Sequence, residues 1–183
     1  HYTPGADPVE KISIVPRGYG ALGYTLQVPL EDRFLMTQQE LIGKVDVFLA
    51  GRAAEKVVYG DISTGASNDL SRAGDIVRRM ITEFGMSEKF HNVYLPRGGG
   101  GTYLDSEISL SSREYSESTQ QYIDEETARL MNERYEYVIE FLQKNRSKMD
   151  TVTDHLLEHE VLSRAEFIEL LGEEPEEKHP LDK

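Results

Sequence analysis

The 183-residue chain contains no cysteine and no tryptophan. Without thiols it can form no disulfide, thiolate metal site or cysteine nucleophile, so any bound metal must be held by His, Asp or Glu. Basic residues are also in short supply, because 20 Lys and Arg stand against 33 Asp and Glu and leave a formal net charge of −13. Affinity for nucleic acids depends on Lys and Arg that neutralise phosphates. We therefore expect no nucleic-acid partner.

Long hydrophobic runs are absent as well. No apolar stretch approaches the roughly 18 residues that span a bilayer, and the N-terminus lacks the pattern of a signal peptide. Hydrophobic residues nevertheless make up 38% of the chain, enough for the core of one domain. The 183 residues are therefore expected to be soluble and folded. Because they begin with His1 and no methionine, we expect a piece of a longer protein.

The hydrophobic pattern predicts two strands followed by a helix. Apolar and polar residues alternate twice within residues 9–28, which is typical of an antiparallel pair joined by a turn. Thr37 and Glu40 have the spacing of a capping box, and apolar residues at helical spacing follow them as far as Gly60. These signals predict the first helix from its start to its end.

A second helix is predicted between the bend at residues 63–66 and Gly85, because apolar residues recur there every three or four positions. Asp69 falls in its first turn. The short apolar segment at residues 93–95 is interpreted as a third strand. Polar, glycine-rich residues follow as far as about residue 115 and predict a mobile loop.

Three further helices are predicted after that loop. Ser118 begins a capping pattern that opens a long helix, and a partner helix follows with Leu156 and Leu157 in its apolar stripe. Another capping pattern, at Ser163, opens a short last helix, which Gly172 ends.

These elements indicate a mainly α fold with a small antiparallel β-sheet near the N-terminus and a C-terminal helical bundle. We expect one domain over residues 1–172 and a frayed acidic tail over residues 173–183, whose composition does not favour a folded state. Within the domain, the predicted parts are residues 1–96, a loop at residues 97–116 and the bundle at residues 117–172.

Two motifs admit both a functional and a structural interpretation. Residues 18–23 satisfy the nucleotide-binding pattern G-x-G-x-x-G, but the strand-like alternation after them favours a hairpin turn. His155, Glu158 and His159 match the H-x-x-E-H pattern of zinc proteases, in which two histidines share a helical face. The same segment is typical of a solvated helix end, where the dipole favours histidine. A zinc site at these three residues is therefore a secondary hypothesis.

The densest polar cluster lies at the start of the second helix. Its sequence is Ser63-Thr64-Gly65-Ala66-Ser67-Asn68-Asp69. Ser, Asn and Asp commonly cap helices, and small residues also let a metal or another backbone approach closely. Spacing alone favours an ordinary N-cap.

Together with other segments, this cluster closely resembles the peptidase domain of FtsH-type proteases, which are membrane-anchored, ATP-driven zinc metalloproteases. The matching segments are residues 4–18, 21–25, 51–55, 63–69 and 85–87. The resemblance covers nearly the whole chain apart from the tail. It implies a zinc-metallopeptidase domain with its metal-site half in residues 1–96.

The resemblance also implies a zinc ion held by two histidines of an H-E-x-x-H helix and by a third ligand, which matches Asp69 in this sequence. The glutamate of that helix acts as the general base in the family. Glu55, in the run Gly51-Arg52-Ala53-Ala54-Glu55, matches an acidic residue near the metal helix. Its expected role is to support a metal-binding imidazole.

A substrate-binding strand is implied by the same resemblance. Leu22, Gly23, Tyr24 and Thr25 match the edge strand beside the family's cleft, where an extended substrate can pair through its main chain. Such pairing tolerates many side chains, which suits a protease that degrades unfolded, damaged or membrane proteins.

The chain contains no H-E-x-x-H motif. In the family that helix lies directly before the segment that begins here at His1. We therefore expect these residues to lack two zinc ligands and the general base, to hold no catalytic residue of their own and to be inactive alone. The phosphate-binding pattern G-x-x-x-x-G-K-[ST] is also absent, so ATP and Mg²⁺ are expected only in a separate ATPase module.

The family further implies a homo-hexameric ring, anchored in a membrane with the peptidase domain on the cytoplasmic side or its organellar equivalent. An alternative remains open, because the H-E-x-x-H residues decide activity. In this alternative, the longer protein is a protease-like, ring-forming scaffold or chaperone module without peptidase activity.

Overall fold

The computed structural model describes residues 1–16, 23–28, 35–95 and 115–172. The helices of these residues, numbered in chain order, are α1 (Gln38–Tyr59), α2 (Ser67–Thr82), α3 (Glu117–Lys144), α4 (Arg146–His159) and α5 (Arg164–Leu171). The strands are β1 (Val9–Ser13), β2 (Tyr24–Gln27) and β3 (Val161–Ser163). The predicted mainly α fold is confirmed. No helix in these segments is long and apolar enough to cross a membrane.

The sheet is antiparallel and has the strand order β2-β1-β3. The two predicted strands pair with each other, with Ile12 opposite Thr25. The predicted third strand is wrong, because residues 93–95 have no regular structure. The third strand is β3, in which Leu162 lies opposite Ile12. A strand of three residues is too short to show an alternating pattern, and only the tertiary structure brings it to β1.

The ends of α1 follow the sequence signals. The Glu40 amide donates to the Thr37 hydroxyl at 3.3 Å, and the Thr37 amide donates to the Glu40 carboxylate at 2.6 Å. This capping box confirms the predicted start. Gly60 ends the helix with a φ of 74°, in the left-handed region that favours glycine.

The main core lies between α1, α2 and α3. Its buried residues are Val45, Leu49, Ala73, Val77, Ile81, Leu95 and Ile123. Those on α1 and α2 recur every three or four residues, as the amphipathic pattern predicted. This core sets the position of α2 relative to α1, and therefore the position of the segment that joins them.

A second core joins the sheet to α4 and α5. It consists of Val9, Leu156, Leu162 and Phe167. Leu157 was predicted to share this apolar stripe, but its side chain is 71% exposed. Neighbouring helical residues point about 100° apart, so the helix that buries Leu156 turns Leu157 to solvent.

The start of α3 differs from the prediction. Its N-cap is Ser116, whose hydroxyl accepts from the Thr119 amide at 3.3 Å. Ser118 lies inside the first turn, and its hydroxyl binds that of Ser116. The capping box at Ser163 is confirmed, with Glu166 as its acidic member. The predicted turn at residues 17–20, most of the predicted loop and the tail lie outside the described residues.

Candidate functional site

The polar cluster covers the end of the connection between α1 and α2 and the first three residues of α2. Residues 61–65 make an exposed turn, and α2 follows from Ser67. The Ser67 amide donates to the Thr64 carbonyl at 3.2 Å, and the Leu70 amide donates to the Ala66 carbonyl at 2.9 Å. The N-cap residue is Ala66, which makes no side-chain capping bond. The interpretation of this cluster as an ordinary N-cap is therefore wrong, because its Ser, Asn and Asp side chains do not occupy the capping position.

Asp69 lies in the first turn of α2, as predicted, and its side chain is partly exposed. A carboxylate at this end of a helix is favoured by the helix dipole. Within residues 1–16, 23–28, 35–95 and 115–172, no group of three His, Asp or Glu side chains is arranged to hold a metal ion. These residues therefore do not form a zinc site by themselves, and Asp69 fits zinc only as one member of a larger donor set.

Glu55 reaches this turn from the adjacent helix α1. One of its carboxylate oxygens accepts from the Ser63 hydroxyl at 2.6 Å, and the other accepts from the Ser63 amide at 3.0 Å. The bond from the hydroxyl, followed by that from the amide, lowers the pKa of Glu55 below its usual range, and the positive charge of Arg52 contributes less. The expected support of a metal-binding imidazole stays a prediction. The contact with Ser63 was not found from the sequence, since the two residues belong to different elements.

An open groove of about 400 Å³ lies beside the turn. The residues that line it are Arg52, Ile62, Ser63, Thr64, Ser67 and Leu70. Its wall thus combines apolar side chains, hydroxyl groups and one cation. Because α2 supplies part of this wall, the groove adjoins the helical turn that carries Asp69.

The predicted substrate strand corresponds to β2 and the residue before it. Tyr24 lies opposite Ser13, and Thr25 lies opposite Ile12. Among the described strands, β2 stands at one end of the order, which agrees with its interpretation as an edge strand. Gly23 allows the close approach of the two strands, because a Cβ atom there would stand 2.6 Å from the Ser13 carbonyl oxygen. Leu22 lies outside the described residues.

The secondary hypothesis of a zinc site at His155, Glu158 and His159 is wrong. The two imidazole rings are stacked, with centroids 4.3 Å apart and planes 20° apart. Lone pairs in nearly parallel planes do not converge on one ion. Nδ1 of His159 instead lies 3.2 Å from the His155 carbonyl oxygen, and these described residues form no three-ligand group.

Comparisons with known proteins match almost the whole chain. The model of Peptidase family M41 matches residues 1–170. The ATP-dependent zinc metalloprotease FtsH 3 of Petrotoga mobilis is 41% identical over 174 residues, covering 95% of this chain and 27% of the relative. The ATP-dependent zinc metalloprotease FtsH of Syntrophobacter fumaroxidans is 44% identical over 164 residues, covering 90% of this chain and 25% of the relative.

A third relative has a similar identity and a similar coverage of both chains. The ATP-dependent zinc metalloprotease FtsH of Ralstonia pickettii is 45% identical over 171 residues, covering 91% of this chain and 23% of its own length. The chain thus spans about a quarter of the length of the curated relatives that it matches.

Proposed function

Because this chain belongs to Peptidase family M41, we propose that it is the peptidase module of an ATP-dependent zinc endopeptidase. The observation that carries the proposal is the placement of Asp69 in the first turn of α2, beside a groove and a turn held by Glu55. The family match supports the chemistry, and this geometry supports the proposed roles of Asp69 and Glu55.

Asp69 is proposed to supply one protein ligand of the zinc ion. The two imidazole ligands and the general base are proposed to lie on an H-E-x-x-H helix that the 183 residues do not contain. A zinc ion with three protein ligands keeps a fourth position for water and lowers the pKa of that water to about 7. The chain's own contribution is to hold Asp69 in place and to present the adjacent groove. By itself the chain is expected to be inactive.

Substrate is proposed to bind along β2. An extended polypeptide can add to an edge strand through main-chain hydrogen bonds, which fixes its direction without demanding particular side chains. Gly23, Tyr24 and Thr25 would form this edge. Unfolded, damaged or membrane proteins are the substrates that such recognition suits.

Further properties concern the longer protein. The relatives are named as ATP-dependent proteases, and we propose that ATP and Mg²⁺ are used by a separate ATPase module. A homo-hexameric ring, anchored in a membrane with this module on the cytoplasmic side or its organellar equivalent, completes the proposal.

Zinc stoichiometry tests the proposal. The 183-residue chain should retain no zinc after dialysis, whereas a version preceded by an H-E-x-x-H helix should retain about one zinc per chain. In the longer version, Asp69→Asn should weaken zinc binding at least about a hundredfold, which exceeds the usual loss of a residue that only supports a ligand. Asp75→Asn, at an exposed acid on the same helix, serves as the matched control.

Three results would contradict the proposal. If Asp69→Asn bound zinc as tightly as wild type, Asp69 would not be a ligand. If the longer version bound zinc but cleaved no unfolded protein such as casein, the inactive scaffold would be the better description. One tightly held zinc in the short chain would place the metal elsewhere.

A further inference from the structure

The start of α2 has no cap of its own. Ala66 occupies the N-cap position and has no side-chain oxygen to accept a bond from the first-turn amides. Packing does little to fix the preceding turn, because residues 61–65 are exposed and Ala66 is the only buried residue between 61 and 68. The core packing of α2 sets the position of the helix as a whole, and the exposed turn that leads into its first turn depends on contacts made from another element.

Those contacts come from α1. Glu55 Oε1 accepts from the Ser63 hydroxyl and Glu55 Oε2 from the Ser63 amide, at 2.6 and 3.0 Å. The same hydroxyl oxygen accepts from the Gly65 amide at 3.1 Å. The Ser67 amide then donates to the Thr64 carbonyl at 3.2 Å. Hydrogen bonds thus connect α1, through the turn, to the first residue of α2.

The chemistry of these groups suits a rigid connection. Hydrogen bonds to a carboxylate are shorter and stronger than those between neutral groups. These hydrogen bonds lower the pKa of Glu55, which favours the ionised carboxylate that accepts both of them. Each oxygen retains a second lone pair, so an experiment must separate this role from direct support of a metal-binding imidazole.

We propose that Glu55 is a positioning residue that acts through Ser63. It ties the turn at residues 61–66 to α1 and thereby fixes the first turn of α2, with Asp69, against the groove. Because Asp69 is taken as a zinc ligand, the consequence for metal binding rests on the proposed function. The connection between Glu55 and the turn does not depend on it.

Amide hydrogen exchange in the metal-free 183-residue chain tests the connection directly. In Glu55→Ala, the protection of the Ser63 and Gly65 amides is expected to fall about tenfold. The Ser63 amide loses its acceptor, and the Ser63 hydroxyl, which accepts from the Gly65 amide, loses its bond to α1. Alanine is the best helix former, so α1 should remain intact. Glu140→Ala, at an exposed glutamate on α3, is the matched control and should leave both amides unchanged. Unchanged protection in Glu55→Ala would overturn the proposal.

Zinc affinity in the protein with its complete metal site tests the consequence. Glu55→Ala is expected to raise the zinc dissociation constant about tenfold to a hundredfold, the range typical of a residue that supports a ligand. Ser63→Ala should have a smaller effect, since its amide still donates to Glu55. The double variant should bind zinc no more weakly than Glu55→Ala, because both substitutions break one connection. Ser63→Thr keeps the hydroxyl and should retain wild-type affinity.

Zinc affinities of the single and double variants distinguish this proposal from its alternatives. If the effects of the two single substitutions multiplied in the double variant, Glu55 would support the metal site without Ser63, and the proposal would be wrong. If Asp69→Asn left zinc affinity unchanged, the proposed function would fail instead. The exchange experiment needs no metal and would still decide whether Glu55 holds the turn.

Discussion

Asp46 and Arg134 form a bidentate ion pair between α1 and α3. Nε of Arg134 donates to one carboxylate oxygen at 2.8 Å, and Nη2 donates to the other at 2.7 Å. The Asp46 side chain is 6% exposed and that of Arg134 is 19% exposed. The guanidinium also lies 4.0 Å from the ring centroid of Tyr137. The pair is therefore largely removed from water, and loss of one member leaves the other poorly solvated.

Asp46→Ala is expected to destabilise the chain strongly. Removal of one member of a buried pair typically costs about 3–5 kcal/mol, because a charge is left without its partner. Since Arg134 keeps a fifth of its surface in solvent, we expect about 2–3 kcal/mol here. For a chain of this size, that cost corresponds to a melting temperature lower by roughly 5–10 °C.

Urea unfolding followed by far-ultraviolet circular dichroism measures this effect. The control is Asp150→Asn, which breaks the exposed pair of Arg146 and Asp150 on α4 and should cost less than about 1 kcal/mol. The double variant Asp46→Leu/Arg134→Met should be far closer to wild type than Asp46→Ala, because a buried pair can often be replaced by apolar residues. If Asp46→Ala lowered the free energy of unfolding no more than the exposed control, the reasoning from the burial of this pair would be wrong.

Three further predictions concern local geometry, and denaturant unfolding checks each of them. Gly51→Ala should stabilise the chain by about 0.5–1 kcal/mol, because its Cβ meets open space within a helix, whereas Gly43→Ala should destabilise it, because its Cβ collides with the Pro4 carbonyl oxygen. Ser116→Ala should cost about 1 kcal/mol and Ser118→Ala less, since only Ser116 caps α3; equal costs would contradict this assignment. Hydrogen bonds from the hydroxyl and amide of Ser163 lower the pKa of Glu166 from 4.5, so its stabilisation is present above pH 4.5 and fades as the pH falls below that value. The difference in stability between wild type and Glu166→Gln should shrink with it, and a difference that grew on acidification would refute the assignment.

Features that depend on a few neighbouring residues were predictable. The capping boxes at Thr37 and Ser163 are confirmed, and each needs only two residues that are three positions apart. Gly60 ends α1 because glycine readily adopts the left-handed conformation found there. The buried faces of α1 and α2 follow from helical periodicity. Asp69 was likewise placed in the first turn of α2 from the sequence.

Features that depend on distant residues were not predictable. The third strand has only three residues and pairs with β1 from the other end of the domain. The N-cap of α2 was misassigned because Ala66 occupies it, while the turn before it is held by Glu55. The two stacked histidines show the same limit, since their spacing allowed a metal site that their ring orientation does not form.

The sequence alone therefore determined the helices, the two N-terminal strands and the family resemblance, because these depend on periodicity, capping chemistry and motifs read along the chain. The tertiary structure alone decided that Glu55 binds Ser63, that Asp46 pairs with Arg134 across 88 residues, and that β3 completes the sheet. Pairing between side chains or strands of different elements depends on how those elements pack. No local pattern along the chain records that packing.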